Sequence, residues 1–517
     1  MPGWDSVVKL SERDFALLNS LKSMYPRVIM HKDVKELSKK ILECAGLVDQ
    51  GCLLFSSPGS AAECCIYVTS TKRGENMASP EQVSRRSFRG KNTVYAVFFP
   101  REKAAVFQSF WTNAGIGISS RFAEGNLEQI ERLKEVTDEA TAPNMMDSEA
   151  HRTVSQRLAD LFEREPLIPR EAKVSPKDVF FFPTGMAAIY SVHKYLLTKL
   201  NMQTVLFGFA FSSTIRVFQE FGPECKFYGL GTNEEIDELE QYLDGEYAAG
   251  RSIQAVWAEF PSNPLLFTPN LDRLRELADK HAFVLIVDDT ISSVCNVDLL
   301  GAADIVVTSL TKSFNGYADV MAGSALLNPS SPKYPELRAL FHECHVNDFY
   351  IDDAEALAEN SKDYLIRSEV LNRNAATLVD YLSARLSEPA CSVARVFYPN
   401  TSPSAQNYRR YMRPPTAHFV PGYGCLFSVE FKRMEATIAF YEHLNVHKGP
   451  HLGAHLTLAF PYAKGIYGKE LEWAARYNLR ETQIRISVGL EDEATLLQDF
   501  AVALRAADAA YLEFKRY

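Results

Sequence analysis

No apolar run in this 517-residue sequence approaches the roughly 18–20 residues that a membrane-spanning helix requires. Positive charge is not in surplus either. Lys and Arg number 55 against 65 Asp and Glu, a net charge of −10, so there is no electrostatic reason to expect nucleic acid or an anionic membrane as partner. The opening segment, MPGWDSVVKLSERDF, lacks the basic and apolar stretches of a signal peptide, and the expected location is cytoplasmic. Nine cysteines stand singly apart from the adjacent Cys64 and Cys65, without a CxxC pair or a Cys/His spacing that suggests zinc. They read as mostly small buried apolar residues, and no metal is expected. Internal repeats and low-complexity tracts are absent. What is there is globular: 46% hydrophobic and 23% charged residues, in a chain long enough for two or three domains.

Three regions separate by texture. Residues 1–150 mix a helical piece, Asp33–Cys44, with strand-like runs at 51–57 (GCLLFSS) and 93–100 (TVYAVFFP). The charged stretch 126–140 is helix-prone, and 142–150 (APNMMDSEA) reads as a linker. Over 151–371, short apolar runs at 179–183, 204–209, 253–260, 283–289 and 304–310 alternate with helical segments, the pattern of a buried, mainly parallel sheet in an α/β domain. Residues 372–517 carry a long helix, a polar loop near 400–415 and strand-like runs at 424–431 and 484–490, which suggest a smaller α+β domain.

Ligands of open α/β sheets bind outside the carboxyl ends of strands, and four such ends here carry polar residues. VFFFP runs into Thr184, Gly185 and Met186 at a helix start, whose amides suit a phosphate; a plain strand–turn–helix junction explains it as well. FVLIVDDT ends in Asp288, Asp289 and Thr290. A carboxylate leaving a buried strand is costly unless a cation faces it, although a helix N-cap at Asp289 or Thr290 accounts for the motif too. Lys312 lies just past a third strand, between Ser309, Thr311 and Gly316, where a lysine can serve as nucleophile or Schiff-base former; most lysines are simply solvated charges. AEFPSNPLL places Glu259 and Asn263 in a loop held by Pro261 and Pro264, by itself a rigid structural loop. Together, helix-start donors, a strand-end carboxylate and a strand-end lysine are the set that pyridoxal 5'-phosphate (PLP) requires.

The order TGMAA, PSNP, VDDT, SLTKxxxGxxDVxxG and RISVGLED over about 165–517 resembles the Cys/Met-metabolism family of PLP-dependent enzymes, which includes cystathionine γ-synthases, cystathionine lyases and acylhomoserine sulfhydrylases. ISSRFAE (118–124), YPRVIMHK (25–32) and KGPHLGAHLTLAFPY (448–462) are similar to its fungal cystathionine γ-synthase-like branch. The resemblance implies the aspartate aminotransferase-like fold: a mainly parallel central sheet, a smaller C-terminal α+β domain and an extra N-terminal region. It also implies site roles. Lys312 matches the cofactor-bonding lysine that moves protons between Cα and Cγ, Asp288 the partner of the pyridine nitrogen, and Asn263 the residue at the ring's 3-oxygen. Thr184, Gly185, Met186, Thr290, Ser309 and Thr311 fall in the cofactor-binding segments, and Arg485 matches the arginine that takes the substrate carboxylate. Arg121 resembles the phosphate-binding arginine of a neighbouring subunit, which implies a homodimer or homotetramer with shared active sites.

Three positions depart from the family pattern. Phe211 stands where a tyrosine stacks on the cofactor, Ser119 matches a second tyrosine, and His451 replaces a small residue before Leu452 and Gly453. Phe211 keeps the stacking and loses the phenol. His451 reads either as a displaced loop residue or as a titratable group near the substrate carboxylate; Tyr317 and His455 lie in the same segments. The activity implied is γ-replacement on an O-acyl-L-homoserine such as O-acetylhomoserine, through a vinylglycine-type intermediate, with cysteine as nucleophile. The alternatives are C–C bond formation with a β-keto acid or ketone in fungal specialised metabolism, a cystathionine β- or γ-lyase, and a non-catalytic scaffold. The retained Lys312, Asp288 and Arg485 argue against the last.

Overall fold

Three β-sheets follow one another along the chain in the computed structural model, which describes residues 3–20, 29–136 and 147–513. The first contains β1 (Gln50–Phe55), β2 (Ser84–Arg89), β3 (Thr93–Pro100) and β4 (Lys134–Val136) in the antiparallel order β1-β3-β2-β4. All of β3 but its last residue is buried. Its alternating side chains serve two cores: Val94, Ala96 and Phe98 pack with Val34, Leu37 and Ile41 of the helix Lys32–Ala45, and Tyr95, Val97 and Phe99 with Phe107 and Phe110 of the helix Ala104–Ala114.

Within the stretch 126–140, the described residues 126–136 do not form the helix its composition suggests. The helix Ser120–Leu127 ends inside it, a 3-10 turn covers Ile130–Arg132, and β4 pairs with β2. Tertiary pairing outweighs the helix propensity of its Glu, Lys and Leu residues. Residues 137–146, including the first half of the expected linker, and 25–28 of YPRVIMHK lie outside the described residues. The end of that linker is already helical: Ser148 caps the helix Glu149–Phe162 by accepting from the His151 amide.

The central sheet has seven strands: β5 (Val179–Phe182), β6 (Gln203–Phe207), β7 (Cys225–Tyr228), β8 (Ile253–Glu259), β9 (Val284–Asp288), β10 (Ile305–Thr308) and β11 (Gly323–Leu327), in the order β5-β11-β10-β9-β8-β6-β7. It is the mainly parallel sheet expected, with β11 alone running against its neighbours β5 and β10. Leu285, Ile286 and Val287 of β9 are fully buried; each contributes roughly 1.5–3 kcal/mol, which anchors the strand end that carries Asp288.

The third sheet holds β12 (Val393–Phe397), β13 (Leu426–Phe431), β14 (His447–Lys448), β15 (Leu458–Phe460) and β16 (Gln483–Ser487), ordered β12-β13-β16-β15-β14 and mostly antiparallel. The helices Tyr364–Arg385 and Glu493–Glu513 contribute to the core behind it. The polar segment near 400–415 is not all loop: Ala405–Tyr411 is helical and buries Tyr408 and Tyr411. All nine cysteines are free, five of them buried.

Candidate active site

The carboxyl ends of β5, β6, β8, β9 and β10 open at one edge of the central sheet, the edge at which ligands of such sheets bind. After β5, Thr184 caps the helix Gly185–Lys199. Its hydroxyl accepts from the Ala187 amide and donates to the Gly115 carbonyl, both at 2.9 Å. The amides of Gly185 and Met186 are helix-end donors without an intrahelical acceptor. A Cβ added at Gly185 would stand 2.6 Å from Cβ of Ser309, so the helix start lies directly against the turn that carries Lys312. Thr290 Oγ1 accepts from the Ser309 amide at 2.8 Å, and the Thr311 hydroxyl donates to the Ala322 carbonyl at 3.1 Å and accepts from its amide at 3.0 Å. Thr184 and Thr311 thus commit their hydroxyl hydrogens to backbone carbonyls. The donors left at this helix start for an anion are the amides of 185 and 186 and the hydroxyl of Ser309.

Two carboxylates sit side by side where the parallel strands β8 and β9 end, Glu259 opposite Asp288. Glu259 is buried and grips two backbone amides: Oε1 accepts from Phe211 at 2.6 Å and Oε2 from Asn263 at 3.0 Å. Asp288 Oδ1 accepts from the Thr290 amide at 2.9 Å. Its side chain reaches the open space of the site but is otherwise walled by protein, and this desolvation raises its carboxyl above the usual range, against the pull of the Thr290 bonds. Burial, then the charge of Asp288, push Glu259 well above that range. No helix follows Asp289 and Thr290, so the N-cap account of that motif falls. Asp289 instead accepts from the Thr308 hydroxyl at 2.6 Å, and burial raises it to about 7.

Lys312 follows β10, and its Nζ stands 3.5 Å from Nδ1 of His451. Arg485 projects from β16 with its guanidinium 4.8 Å from the centre of the Tyr462 ring. It donates to Asn263 Oδ1 at 3.1 Å, to the His451 carbonyl at 3.5 Å and to the Pro450 carbonyl. Residues far apart in sequence therefore converge: Phe211, Asn263, Asp288, Lys312, His451 and Arg485 share contacts within one site. Arg121 and Ser119 form a separate group. Ser119 caps the helix Ser120–Leu127, while Arg121 pairs with Asp319 at 3.1 Å and Asp353 at 3.2 Å of its own chain. Tyr317 is exposed, bonds Asp363 and lies 5.6 Å from the His455 ring.

Residues 173–505 match the Cys/Met metabolism PLP-dependent enzyme family, and residues 33–119 match the fungal trans-sulfuration enzyme N-terminal domain. The chain belongs to the Cys/Met metabolism family of PLP-dependent enzymes. Among similar proteins, the alanine racemase ungC of Aspergillus violaceofuscus is 34% identical over 99% of this chain and 95% of its own length. The cystathionine gamma-synthase-like enzyme iboG2 of Amanita muscaria is 33% identical over 99% and 94%, and the cystathionine gamma-synthase of Neurospora crassa 27% identical over 98% and 96%. The crystal structure of cystathionine gamma synthase from Xanthomonas oryzae pv. oryzae superposes with a TM-score of 0.57 at 20% identity, covering 72% of this chain and 92% of that one, a likeness of fold. This family member is a PLP-dependent, cystathionine γ-synthase-like enzyme acting on small molecules. Among its described residues, no helix is long and apolar enough to cross a membrane, and no group of three or more His, Cys, Asp or Glu could hold a metal.

The residues present fit PLP. No cation pairs with Asp288 among the described residues, and a protonated pyridine nitrogen is the charge that its desolvated carboxylate lacks. The missing side chain of Gly185 leaves the helix-start amides accessible to a phosphate. Two neighbours received no role from the sequence. Glu259 was visible in AEFPSNP, but its place opposite Asp288 becomes apparent only from the strand register. Tyr462, under Arg485, carried no local signal.

Proposed function

We propose that this enzyme carries out γ-replacement on an O-acyl-L-homoserine, with cysteine as the incoming nucleophile. The observation that supports this reading is the convergence of Lys312, Asp288 and Arg485 from β10, β9 and β16 on one site. PLP bound there supplies an electron sink for the bond broken at Cα. Lys312 takes the Cα proton and serves as the base that moves protons toward Cγ. Asp288 would pair with the positive charge of the ring nitrogen, Asn263 would meet the 3-oxygen, and Phe211 would supply an apolar face for the ring. The amides of Gly185 and Met186, with Ser309, hold the phosphate, while Thr184, Thr290 and Thr311 fix the turns around it. Arg485 offers its planar fork to the substrate carboxylate. Once the Cα proton and a Cβ proton are removed, the γ-acyloxy group leaves as a carboxylate, the thiolate of cysteine adds at Cγ, and protons return to the carbon chain. Arg121, on the N-terminal unit 1–150, serves the phosphate of a second copy, in a homodimer or homotetramer with Ser119 at the shared edge.

A carbon nucleophile is the second reading. It is favoured by Phe211, which offers no phenol, and by the buried His451, which occupies space beside Lys312. The test is product analysis by mass spectrometry. Purified enzyme receives O-acetyl-L-homoserine with cysteine or with acetoacetate, beside a Lys312→Ala control. Cystathionine as the main Lys312-dependent product supports the first reading, and an acetoacetate adduct with little cystathionine supports the second. Ammonia and a keto acid without any added nucleophile mark a lyase, and D-alanine formed from L-alanine marks the activity for which the Aspergillus relative is named; either result alone overturns both readings.

A further inference from the structure

His451 sits at a junction built from three elements. Its ring faces the Lys312 amine at 3.5 Å, and its own carbonyl accepts from Arg485 on β16. The segment that carries it is locked onto the lysine turn. Gly453 has φ +72°, and a Cβ there would stand 2.5 Å from the Ser313 amide and 2.9 Å from the Lys312 carbonyl carbon, so only glycine lets the two strands of chain touch. The Gly453 amide donates to Ser487 Oγ at 2.9 Å, and the His455 amide to the Gly316 carbonyl at 2.8 Å. The segment that follows the ring is therefore held against the lysine turn.

We propose that His451 is a positioning residue for Lys312: its neutral imidazole, with the proton on Nε2, accepts a hydrogen bond at Nδ1 from Nζ and holds the amine in one place whenever it is not bonded to the cofactor. This rests on the reading of Lys312 as the cofactor-bonding, proton-moving lysine. Among the described residues, the charged groups that face the ring are Lys312 and Arg485, both cations. Burial first, then these two charges, drive His451 well below its ordinary value, so the ring stays neutral and Nδ1 stays an acceptor through the working pH range. A lysine released during turnover has four flexible carbons and many rotamers; an acceptor fixed to the same turn limits that freedom. A serine or alanine here could not span the distance from its backbone that the imidazole covers. Nζ keeps its proton in this contact, and no proton moves to His451.

The test uses three variants. His451→Ala removes the acceptor, His451→Phe keeps the ring volume without it, and His451→Asn restores an acceptor oxygen. The first readout needs no substrate: cofactor-free protein is mixed with PLP, and its covalent capture by Lys312 is followed by visible absorbance across pH. We expect capture to slow about 5- to 10-fold in His451→Ala and His451→Phe, the loss of one ordinary hydrogen bond, with a displaced pH profile. His451→Asn is expected to stay within about 2-fold of wild type. The second readout, on holoenzyme, is exchange of the Cα hydrogen of L-alanine in heavy water, which should follow the same ranking. Wild-type capture and profile in His451→Phe overturn the proposal, as does His451→Asn falling as far as His451→Phe. If the γ-replacement reading fails, the capture assay still decides the role of His451, because no homoserine ester enters it.

Discussion

Replacing Asp288 by asparagine should change stability in opposite directions with and without cofactor. In the cofactor-free protein the carboxylate is desolvated, stands opposite Glu259 and has no cation among the described residues. A carboxyl raised in the folded state favours the folded protein at low pH; that advantage is lost as pH climbs from the unfolded value toward the folded one, because the unfolded chain ionises first. Asparagine keeps the oxygen that accepts from Thr290 at 2.9 Å and removes only the charge. At pH 8 we therefore expect Asp288→Asn to stabilise the cofactor-free protein by about 1 kcal/mol, the relief of a buried charge whose hydrogen bond survives. That corresponds to about 1–2 °C in a chain of this length. At pH 5 the gain should be smaller, because lower pH favours the protonated form of a carboxyl that burial raises. With PLP the sign reverses. The variant loses a charge-assisted contact worth roughly 1.5–3 kcal/mol, or about 10- to 100-fold in cofactor affinity. Thermal denaturation at both pH values and PLP titration followed by tryptophan fluorescence measure the two halves. A cofactor-free variant less stable than wild type at pH 8, or one that binds PLP as wild type does, refutes the reasoning.

Gly185→Ala places a methyl group 2.6 Å from Ser309 Cβ; helix propensity offsets part of the clash, so the denaturation temperature of the cofactor-free protein should fall by only a few degrees while PLP affinity drops at least about 10-fold. Burial raises Asp348, held by Ser57 and Ser60, to about 6. Its folded form therefore keeps a proton that the unfolded chain releases near pH 4, and stability falls as pH rises through that window. Asp348→Asn, which keeps the acceptor oxygen, should gain on wild type by about 2 kcal/mol between pH 4 and pH 8, read from urea denaturation at each pH; equal slopes would show that the carboxyl is not raised.

Much of the central sheet can be read from sequence because its strands are buried on both faces. All seven residues of β8 are buried, and an apolar run of that length is what a strand covered by helices on either side requires. Direction leaves no such trace: β11 is as buried as β5, and only hydrogen bonding shows that it runs backwards. The segment 126–140 misled because its charges are those of a helix, whereas β4 is an edge strand whose pairing with β2 decides its form. In the site, strand-end residues such as Asp288 and Lys312 announced themselves by interrupting apolar runs. Contacts across long sequence separations did not: His451 lies 139 residues from Lys312, and no local pattern encodes that they meet.

The double grip of Glu259 bears on how such a site changes over time. Because one buried carboxylate fastens the main chain at both Phe211 and Asn263, the side chain at 211 can be exchanged without shifting the backbone that carries it or the asparagine that touches Arg485. Position 211 then behaves as a removable fitting on a fixed mount. On the function proposed above, exchanging phenylalanine for tyrosine there would change the side chain that meets the incoming nucleophile and leave the main chain of the site in register.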